Sequence, residues 1–406
     1  MELFRDRRYR HLFSAQVIAL IGTGLTTIGL ALLASELAGE RAGEVLGTAL
    51  AIKMIAYVGI APVVYVGIAP VVGAYATRLP RRALLVTLDL LRAAVVVSLP
   101  FVTEVWQIYL LIFLLNACSA GFTPVFQATI PDIFEDERRY TQALSLSRLA
   151  YDLENLLSPL LAALLLVVMS FNLLFVLNAA AFLLSALLVV SVSLPSPHPQ
   201  TAGGGVWARL TRGINHYLGT ARLRGLLALN MAVAAAGAMQ IVNTVVYVRH
   251  ALGLGETEVA IAFAAAGGGS MVVALTLPKL LERLDQRPVM LTGGLLMSAS
   301  LLAGLMGPGF VMLLLLWFVL GAGASMVMTP TGRLLKQSCR AEERPALFAA
   351  QFSLSHACWL VAYPLAGWLG SALGMMPAFA VLAILALAAT LLAARLWPAQ
   401  VTEAHA

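Results

Sequence analysis

The hydrophobic pattern divides the chain into long apolar runs separated by short polar segments. A run of about 20 apolar residues is long enough to cross a hydrocarbon core about 30 Å thick as a helix. Twelve such spans are predicted, at 12–35, 44–76, 83–102, 106–130, 142–168, 171–193, 225–248, 257–281, 288–306, 309–335, 345–371 and 375–396. We therefore expect an all-α membrane protein with twelve transmembrane helices.

The second half of the chain repeats features of the first at an offset of about 205 residues. Thr123-Pro124 recurs as Thr329-Pro330, and Ser158-Pro159 aligns with Tyr363-Pro364. Repeats of this kind are typical of transporters built from two related bundles. The repeat predicts two pseudo-symmetric six-helix bundles, at 1–194 and 225–406, joined by a cytoplasmic central loop at 195–224.

Predicted span two contains a tandem duplication, because YVGIAPVV at 57–64 is followed at once by a second copy at 65–72. Eight additional helical residues lengthen a helix by about 12 Å. We expect the excess to be absorbed by a kink or break near Pro62 or Pro70, or by protrusion beyond the membrane. The duplication is either neutral or damaging, or it is a feature selected for gating.

The central loop has its own periodicity. Trp207, Leu210, Ile214 and Leu218 recur at helical spacing among arginines. This pattern is typical of an amphipathic helix on the inner leaflet, or of a linker with an apolar surface.

Composition supports a membrane protein, since 60% of the residues are apolar and only 11% are charged, against about 25% charged in soluble domains. The net charge of +6 does not indicate nucleic acid, because its placement follows the positive-inside rule. The outer loops contain only Arg41 and Arg249 as basic residues, alongside several glutamates. We expect a multi-pass membrane protein with both termini cytoplasmic.

Polar residues inside the spans are candidates for a substrate cavity, because such residues are costly in lipid and mark transport pathways. Each one is also explained by a helix–helix hydrogen bond. The candidates are Gln16, Thr23, Thr27, Asn116, Ser119, Asn230, Gln240, Thr244, Gln351, Ser355 and Trp359. A cavity of amides and aromatic rings would suit an amphipathic molecule that is neutral or cationic.

Few ionisable residues lie deep in the spans, and three of them are proton-coupling candidates: Asp152, Glu154 and His356. Arg148 precedes Asp152 by four residues, a spacing that also favours an intrahelical ion pair. His356 is alternatively a buried structural histidine. Lys53 is expected at the outer interface, because a continuous helix places it about 36 Å from Thr77. No spacing of Cys or His indicates a metal site, and no cofactor is expected.

The loop between spans two and three resembles the signature GxxxDRxGRR of the major facilitator superfamily. Here it reads Gly73-Ala-Tyr-Ala-Thr77-Arg78-Leu-Pro80-Arg81-Arg82, with Thr77 and Pro80 in place of the family's Asp and second Gly. The resemblance implies a cytoplasmic charge cluster that locks one state of the transporter. Its further members would be Asp89, Arg92 and Asp132, with Glu282, Arg283 and Arg287 as counterparts in the second half. Asp132 or Asp89 is the expected partner of Arg78.

Span five resembles the family's antiporter motif in degenerate form, with Ser158, Pro159, Ala162 and Ala163 at the motif positions. The chain is also similar to the macrolide-efflux-like and siderophore-exporter branch, which includes nickel-resistance exporters. The resemblance implies a secondary transporter and no enzyme, namely a proton-coupled exporter of small amphipathic molecules, driven by the proton gradient through alternating access. It also implies a monomer in the bacterial inner membrane, whose partners are the lipid bilayer, a small-molecule substrate and protons. The alternatives are a nickel or divalent-cation exporter, and a non-transporting sensor or scaffold or a defective variant.

Overall fold

The computed structural model describes residues 2–38, 45, 48–49, 52–53, 55–56, 80–195 and 206–397. Every regular element in these segments is helical. The twelve principal helices are α1 (Arg7–Ala38), α2 (Arg81–Ser98), α3 (Val105–Ile133), α4 (Glu137–Leu166), α5 (Asn172–Val190), α6 (Val206–Gly219), α7 (Ala221–Val246), α8 (Glu256–Leu280), α9 (Gln286–Gly304), α10 (Phe310–Lys336), α11 (Arg344–Trp368) and α12 (Met375–Leu396). Single turns of 3-10 helix occupy Leu3–Arg5, Leu99–Phe101 and Ala341–Glu343, and π turns occupy Tyr247–Ala251 and Leu369–Leu373.

The helices confirm the all-α membrane fold predicted from the hydrophobic pattern. Nine helices in the described segments are long and apolar enough to cross a membrane. Eleven of the predicted spans coincide with α1–α5 and α7–α12 to within a few residues. Predicted span two is described only at isolated helical residues between 45 and 56, and its duplication at 57–72 lies outside the described residues.

The same helix pairings recur in the two halves of the sequence, which is the structural counterpart of the sequence repeat. In the first half α5 packs on α1 and α2, and α2 packs on α3. In the second half α12 packs on α7 and α9, and α9 packs on α10. Small residues allow several of these helices to approach closely.

Contacts group the chain into two compact units. The first contains 1–143, 153–214 and 339–356, and the second contains 144–152, 215–338 and 357–406. The grouping follows the two sequence halves except for one stretch of α4 and the first half of α11. These two stretches make most of their contacts with helices from the other half of the sequence.

The central loop forms α6, and one face of this helix packs on protein. Gly213 lies against the backbone of Ala346 in α11, where a Cβ on Gly213 would come within 2.3 Å of the Ala346 carbonyl oxygen. Tyr217 is fully buried, whereas Leu218 is exposed. Helical periodicity in the sequence therefore predicted the helix, and the structure adds the docking face.

Candidate functional site

A charge cluster joins the beginnings of α2 and α11 to the end of α3. The Asp132 carboxylate accepts hydrogen bonds from the guanidinium groups of Arg81 and Arg344. The side chains of Arg81, Asp132 and Arg344 are only 5%, 6% and 16% exposed. One buried carboxylate shared by two arginines makes a strong contact, since removing it would leave two buried cations. The partners of Asp132 are therefore Arg81 and Arg344, whereas its expected partner Arg78 lies outside the described residues.

The second predicted acid of this motif forms a separate pair inside the first unit. Asp89 accepts a hydrogen bond from Arg92 and a second one, at 2.8 Å, from the Ser185 hydroxyl. The Arg92 guanidinium lies over the rings of Phe122 and Phe182, at 4.0 and 4.5 Å from their centroids. Asp89 is fully buried, so the pair stabilises the packing of α2, α3 and α5.

The remaining residues of the charged loops are more open. Gly73 and Arg78 lie outside the described residues, and Arg82 is exposed and contacts the Val190 carbonyl oxygen at 3.4 Å. In the second half, Arg287 donates to the carbonyl oxygens of Trp397 and Ala394 at the end of α12, at 2.8 and 2.9 Å. Glu282 and Arg283 are exposed and, together with Arg287, line a cavity of about 550 Å³.

The antiporter-like motif on α4 packs on α1. Ser158 is 3% exposed, and its hydroxyl would lie 2.1 Å from a Cβ at Gly24. Ala162 is fully buried among Leu25 and Leu174. The side chains of Pro159 and Ala163 lie outside the described residues. Ser158 and Ala162 therefore lie at a close contact between α4 and α1.

Glu154 lies on the same side of α4 as Ser158. One of its carboxylate oxygens would be 2.9 Å from a Cβ at Gly24, so the carboxylate rests on the α1 backbone. The charge of Lys53 acts on Glu154 and on His356. Lys53 is therefore close enough to ionisable groups of α4 and α11 for its charge to act on both, and its place at the outer interface stays a prediction. Ala56 forms a buried cluster with Ala120 of α3, and Phe352 of α11 packs against this cluster.

His356 is held by its own helix. Its Nδ1 lies 2.7 Å from the Phe352 carbonyl oxygen, and the two rings are 4.2 Å apart. A carbonyl oxygen only accepts, so Nδ1 carries the proton in this contact. The imidazole is therefore oriented with Nε2 directed away from its own backbone.

Asp152 belongs to a polar group of its own. Its carboxylate accepts from Arg148 Nη2 at 3.0 Å and from the Ser270 hydroxyl of α8 at 2.5 Å. Arg148 Nε donates to the same hydroxyl at 3.0 Å, and Nη1 contacts the Met328 sulfur of α10 at 3.4 Å. The intrahelical ion pair expected from the spacing is present, and Ser270 extends it to a second helix.

The three cavity candidates on α1 differ in how buried their side chains are. Gln16 is 8% exposed, whereas Thr23 and Thr27 are open. The two threonine hydroxyls donate to the carbonyl oxygens of Ala19 and Thr23, at 2.8 and 3.1 Å. The open face of α1 thus directly adjoins Gly24, where Glu154 rests.

The other cavity candidates make mostly structural contacts. Asn116 and Ser119 donate to carbonyl oxygens of α3 at 2.7 and 3.0 Å. Thr244 is fully buried, donates to the Gln240 carbonyl oxygen and accepts a hydrogen bond from Trp317 at 2.8 Å.

The cavity candidates on α7 and α11 also make contacts within the protein. Asn230 forms a hydrogen bond with the buried Tyr217 of α6. Ser355 donates to the Phe352 carbonyl oxygen at 3.0 Å. Trp359 packs on Gly237 and stacks on Tyr363 with centroids 5.0 Å apart, and Gln351 is 8% exposed.

Asp6 and Tyr217, two titratable groups outside the predicted spans, have pKa values shifted from the ordinary ones. Burial acts to raise the pKa of Asp6, but hydrogen bonds and the positive charge of Arg8 outweigh it and leave that pKa below its ordinary value. Burial raises the pKa of Tyr217, the neighbouring Cys358 raises it further, and the hydrogen bond with Asn230 only partly opposes them. Tyr217 is therefore a neutral anchor of α6.

Sequence reasoning missed two residues that complete the polar groups. Arg344 follows Glu343 where the first half has Glu137-Arg138, so the repeat alignment itself was a signal for Arg344. Ser270 lies in a run of glycines, and nothing in the sequence pairs it with Asp152.

Comparisons with known proteins agree with this architecture. The sequence profile of the Major Facilitator Superfamily matches residues 12–248 and 226–406. The uncharacterized MFS-type transporter YfiS of Bacillus subtilis (strain 168) is 29% identical over 117 residues, which are 29% of this chain and 28% of YfiS. The chain is thus aligned with less than a third of that relative.

Solved structures share the fold over almost the whole chain. The human organic anion transporter MFSD10 has a TM-score of 0.78 at 14% identity, covering 95% of this chain and 99% of its own. A bacterial homologue of the iron transporter ferroportin, in an outward-facing state, has a TM-score of 0.76 at 15% identity, with 95% and 97% covered. The E. coli fucose:proton symporter FucP has 0.72 at 16%, with 96% and 98% covered. The chain is a membrane transporter that belongs to the major facilitator superfamily.

Proposed function

We propose that this chain is a proton-coupled exporter of small amphipathic molecules that works by alternating access. The observation that carries the proposal is the position of Glu154, whose carboxylate lies inside a membrane helix against Gly24 of α1. A carboxylate at this depth is costly unless it serves a pathway for substrate or protons. Thr23 and Thr27, on the neighbouring part of α1, are exposed.

Competition for Glu154 provides the coupling. An ionised carboxylate in a low-dielectric site needs a cation or strong donors, and a proton removes that need. A proton and a donor-bearing or cationic substrate therefore exclude each other at Glu154, which is the condition for antiport. Lys53 acts electrostatically on the same carboxylate and provides a counter-charge when neither is bound.

The cluster around Asp132 provides the conformational part of the proposal. Its two arginines come from α2 and α11, one in each sequence half. Making and breaking the Asp132–Arg344 contact would accompany the change of access. In this scheme both termini and the arginine loops lie on the cytoplasmic side of a bacterial inner membrane, and the protein acts as a monomer.

The test uses everted vesicles that contain the full-length protein and a proton gradient followed by a fluorescent dye. A panel of amphipathic cations, neutral drugs, siderophores and Ni²⁺ is added, and collapse of the gradient is measured. We expect collapse with an amphipathic organic compound and its loss in Glu154→Gln. Glu36→Gln, an exposed residue of α1, is the matched control and keeps the response.

Three results would contradict the proposal. A response to Ni²⁺ alone would indicate metal export, and absence of counterflow for every compound would indicate a sensor or scaffold. Full coupling in Glu154→Gln would remove Glu154 from the mechanism.

A further inference from the structure

Arg148, Asp152 and Ser270 lie within predicted membrane spans, at 142–168 and 257–281. Arg148 is the twelfth residue of α4, and Ser270 lies ten residues before the end of α8 at Leu280. At 1.5 Å per residue, each is roughly 15–17 Å from that end of its helix. An ion pair inside a membrane span is costly, and such groups mark pathways for substrates or protons.

The hydrogen bonds of this group form a closed triangle. Ser270 donates its hydroxyl proton to Asp152 at 2.5 Å and accepts from Arg148 Nε at 3.0 Å, while Arg148 Nη2 donates to the same carboxylate at 3.0 Å. The Ser270 hydroxyl therefore donates to the Asp152 carboxylate and accepts from the Arg148 guanidinium. A side chain that could only donate or only accept a hydrogen bond could not make both contacts.

The two acids of α4 point in different directions. Residues two apart on an α-helix are separated by about 200°, so Asp152 and Glu154 lie on opposite faces of α4. Asp152 contacts Ser270 of α8, and Glu154 rests on Gly24 of α1. One helix thus presents two carboxylates to two different neighbours.

We propose that Arg148, Asp152 and Ser270 form a second proton-linked site, in which Ser270 is a positioning residue that holds the Asp152 carboxylate on Arg148. A proton taken from water onto an Asp152 oxygen neutralises the carboxylate, and Arg148 loses its counter-charge. The guanidinium, 20% exposed, then moves toward water, and the α4–α8 contact loosens. This inference rests on the proposed proton coupling and divides it between two sites.

Among the described residues, Arg148 is the charged group that pairs with Asp152. In the described residues α8 presents Ser270 and α10 presents Met328 to the pair. The charged residues of α8 are Glu256, Glu258 and Lys279. They are fourteen, twelve and nine residues from Ser270, about 21, 18 and 14 Å along the helix. Arg333 of α10 contacts the Leu281 carbonyl oxygen at 3.5 Å. Release of Asp152 is therefore governed by its bonds to Arg148 and Ser270.

The experiment is infrared difference spectroscopy of the purified full-length transporter in lipid nanodiscs as pH is changed. Protonated carboxyl groups give separate carbonyl bands, and Asp152 is assigned by the band lost in Arg148→Gln/Asp152→Asn, a neutral pair that leaves no orphaned charge. In Ser270→Ala we expect the midpoint of this band to move upward by about one pH unit, a tenfold change in proton affinity. Ser270→Thr restores the hydroxyl and the original midpoint. Ser298→Ala, a buried serine of α9 that donates only to its own helix, leaves it unchanged.

An unchanged midpoint in Ser270→Ala would overturn the inference, as would a neutral-pair variant that keeps every band. This spectroscopic outcome for Asp152 can be distinguished from the transport outcome for Glu154. If Glu154→Gln keeps coupled transport while the Asp152 band still responds to Ser270, the proposed function fails and the second site remains.

Discussion

The Arg344 guanidinium, at the first residue of α11, pairs with the Asp132 carboxylate near the end of α3. The two residues are 212 positions apart in the chain. The same carboxylate also binds Arg81, so Asp132 connects residues that the sequence separates widely.

Asp132→Asn should destabilise the protein by about 3–5 kcal/mol, because it leaves two largely buried arginines without a counter-charge. Thermal unfolding in detergent measures the loss. Arg344→Gln should cost less, because Arg81 still neutralises Asp132. The control is Glu135→Gln, an exposed acid nearby. A double-mutant cycle for Asp132 and Arg344 should give a coupling energy of about 1–3 kcal/mol; additive effects would show that the contact contributes no stability.

Gly24→Ala should damage folding, because its new Cβ would lie 2.1 Å from the Ser158 hydroxyl and 2.3 Å from the Ser158 Cβ. Overpacking of this kind costs about 1–3 kcal/mol. Removing both atoms with Ser158→Gly in the double variant should restore part of the stability, as measured by the monodisperse fraction after heating.

Gly268→Ala is the matched control for this test. Its added Cβ would meet only the Phe318 ring, at an ordinary 3.9 Å, and the variant should be as stable as the parent protein. If Gly24→Ala were equally harmless, α1 and α4 would not be as close as the structure places them.

Arg92→Lys should destabilise the first unit although the charge is kept. The planar guanidinium lies over Phe122 and Phe182 while it binds Asp89, and an ammonium group cannot reproduce that stacking. We expect a loss of about 1–2 kcal/mol of cation–π and hydrogen-bond energy in thermal unfolding. The exposed Arg82→Lys should have no measurable effect, and equal effects at the two positions would contradict the packing described.

Asp6 caps α1 by accepting backbone hydrogen bonds from Arg8 and Tyr9, at 2.8 and 3.4 Å. Asp6→Ala should cost about 1 kcal/mol, and Asp6→Asn less, because Asn also caps helices well. The pKa of Asp6 is lowered, with Arg8 outweighing burial. The ionised Asp6 side chain therefore stabilises the folded protein at pH values above the pKa that Asp6 has in the unfolded chain. This contribution is lost as the pH falls through the lower pKa that Asp6 has in the folded protein.

The measurement is the unfolding temperature of the parent protein and Asp6→Asn from neutral pH to about pH 3. The difference between the two should shrink on acidification. A difference that stays constant or grows would show that the charge of Asp6 does not contribute.

Most of the helical architecture was predictable because a membrane imposes a simple rule on the sequence. The apolar runs predicted α1–α5 and α7–α12 to within about five residues, and the periodicity of 207–218 indicated α6. The ion pair of Arg148 and Asp152 was also accessible, since residues four apart on a helix are neighbours.

The neighbours of Lys53 were not predictable in the same way. Helical rise gives only a distance along one helix. The influence of the Lys53 charge on Glu154 and His356 depends instead on how separate helices pack.

The sequence by itself determined the spans, the repeat, the family resemblance and the scarcity of ionisable groups in the membrane, because each depends on local composition or spacing. The tertiary structure alone decided which charges meet: Asp132 with Arg344, Asp89 with Ser185, and Asp152 with Ser270. A buried charge must find a partner wherever packing brings one, and helix packing brings together residues that no short-range pattern relates.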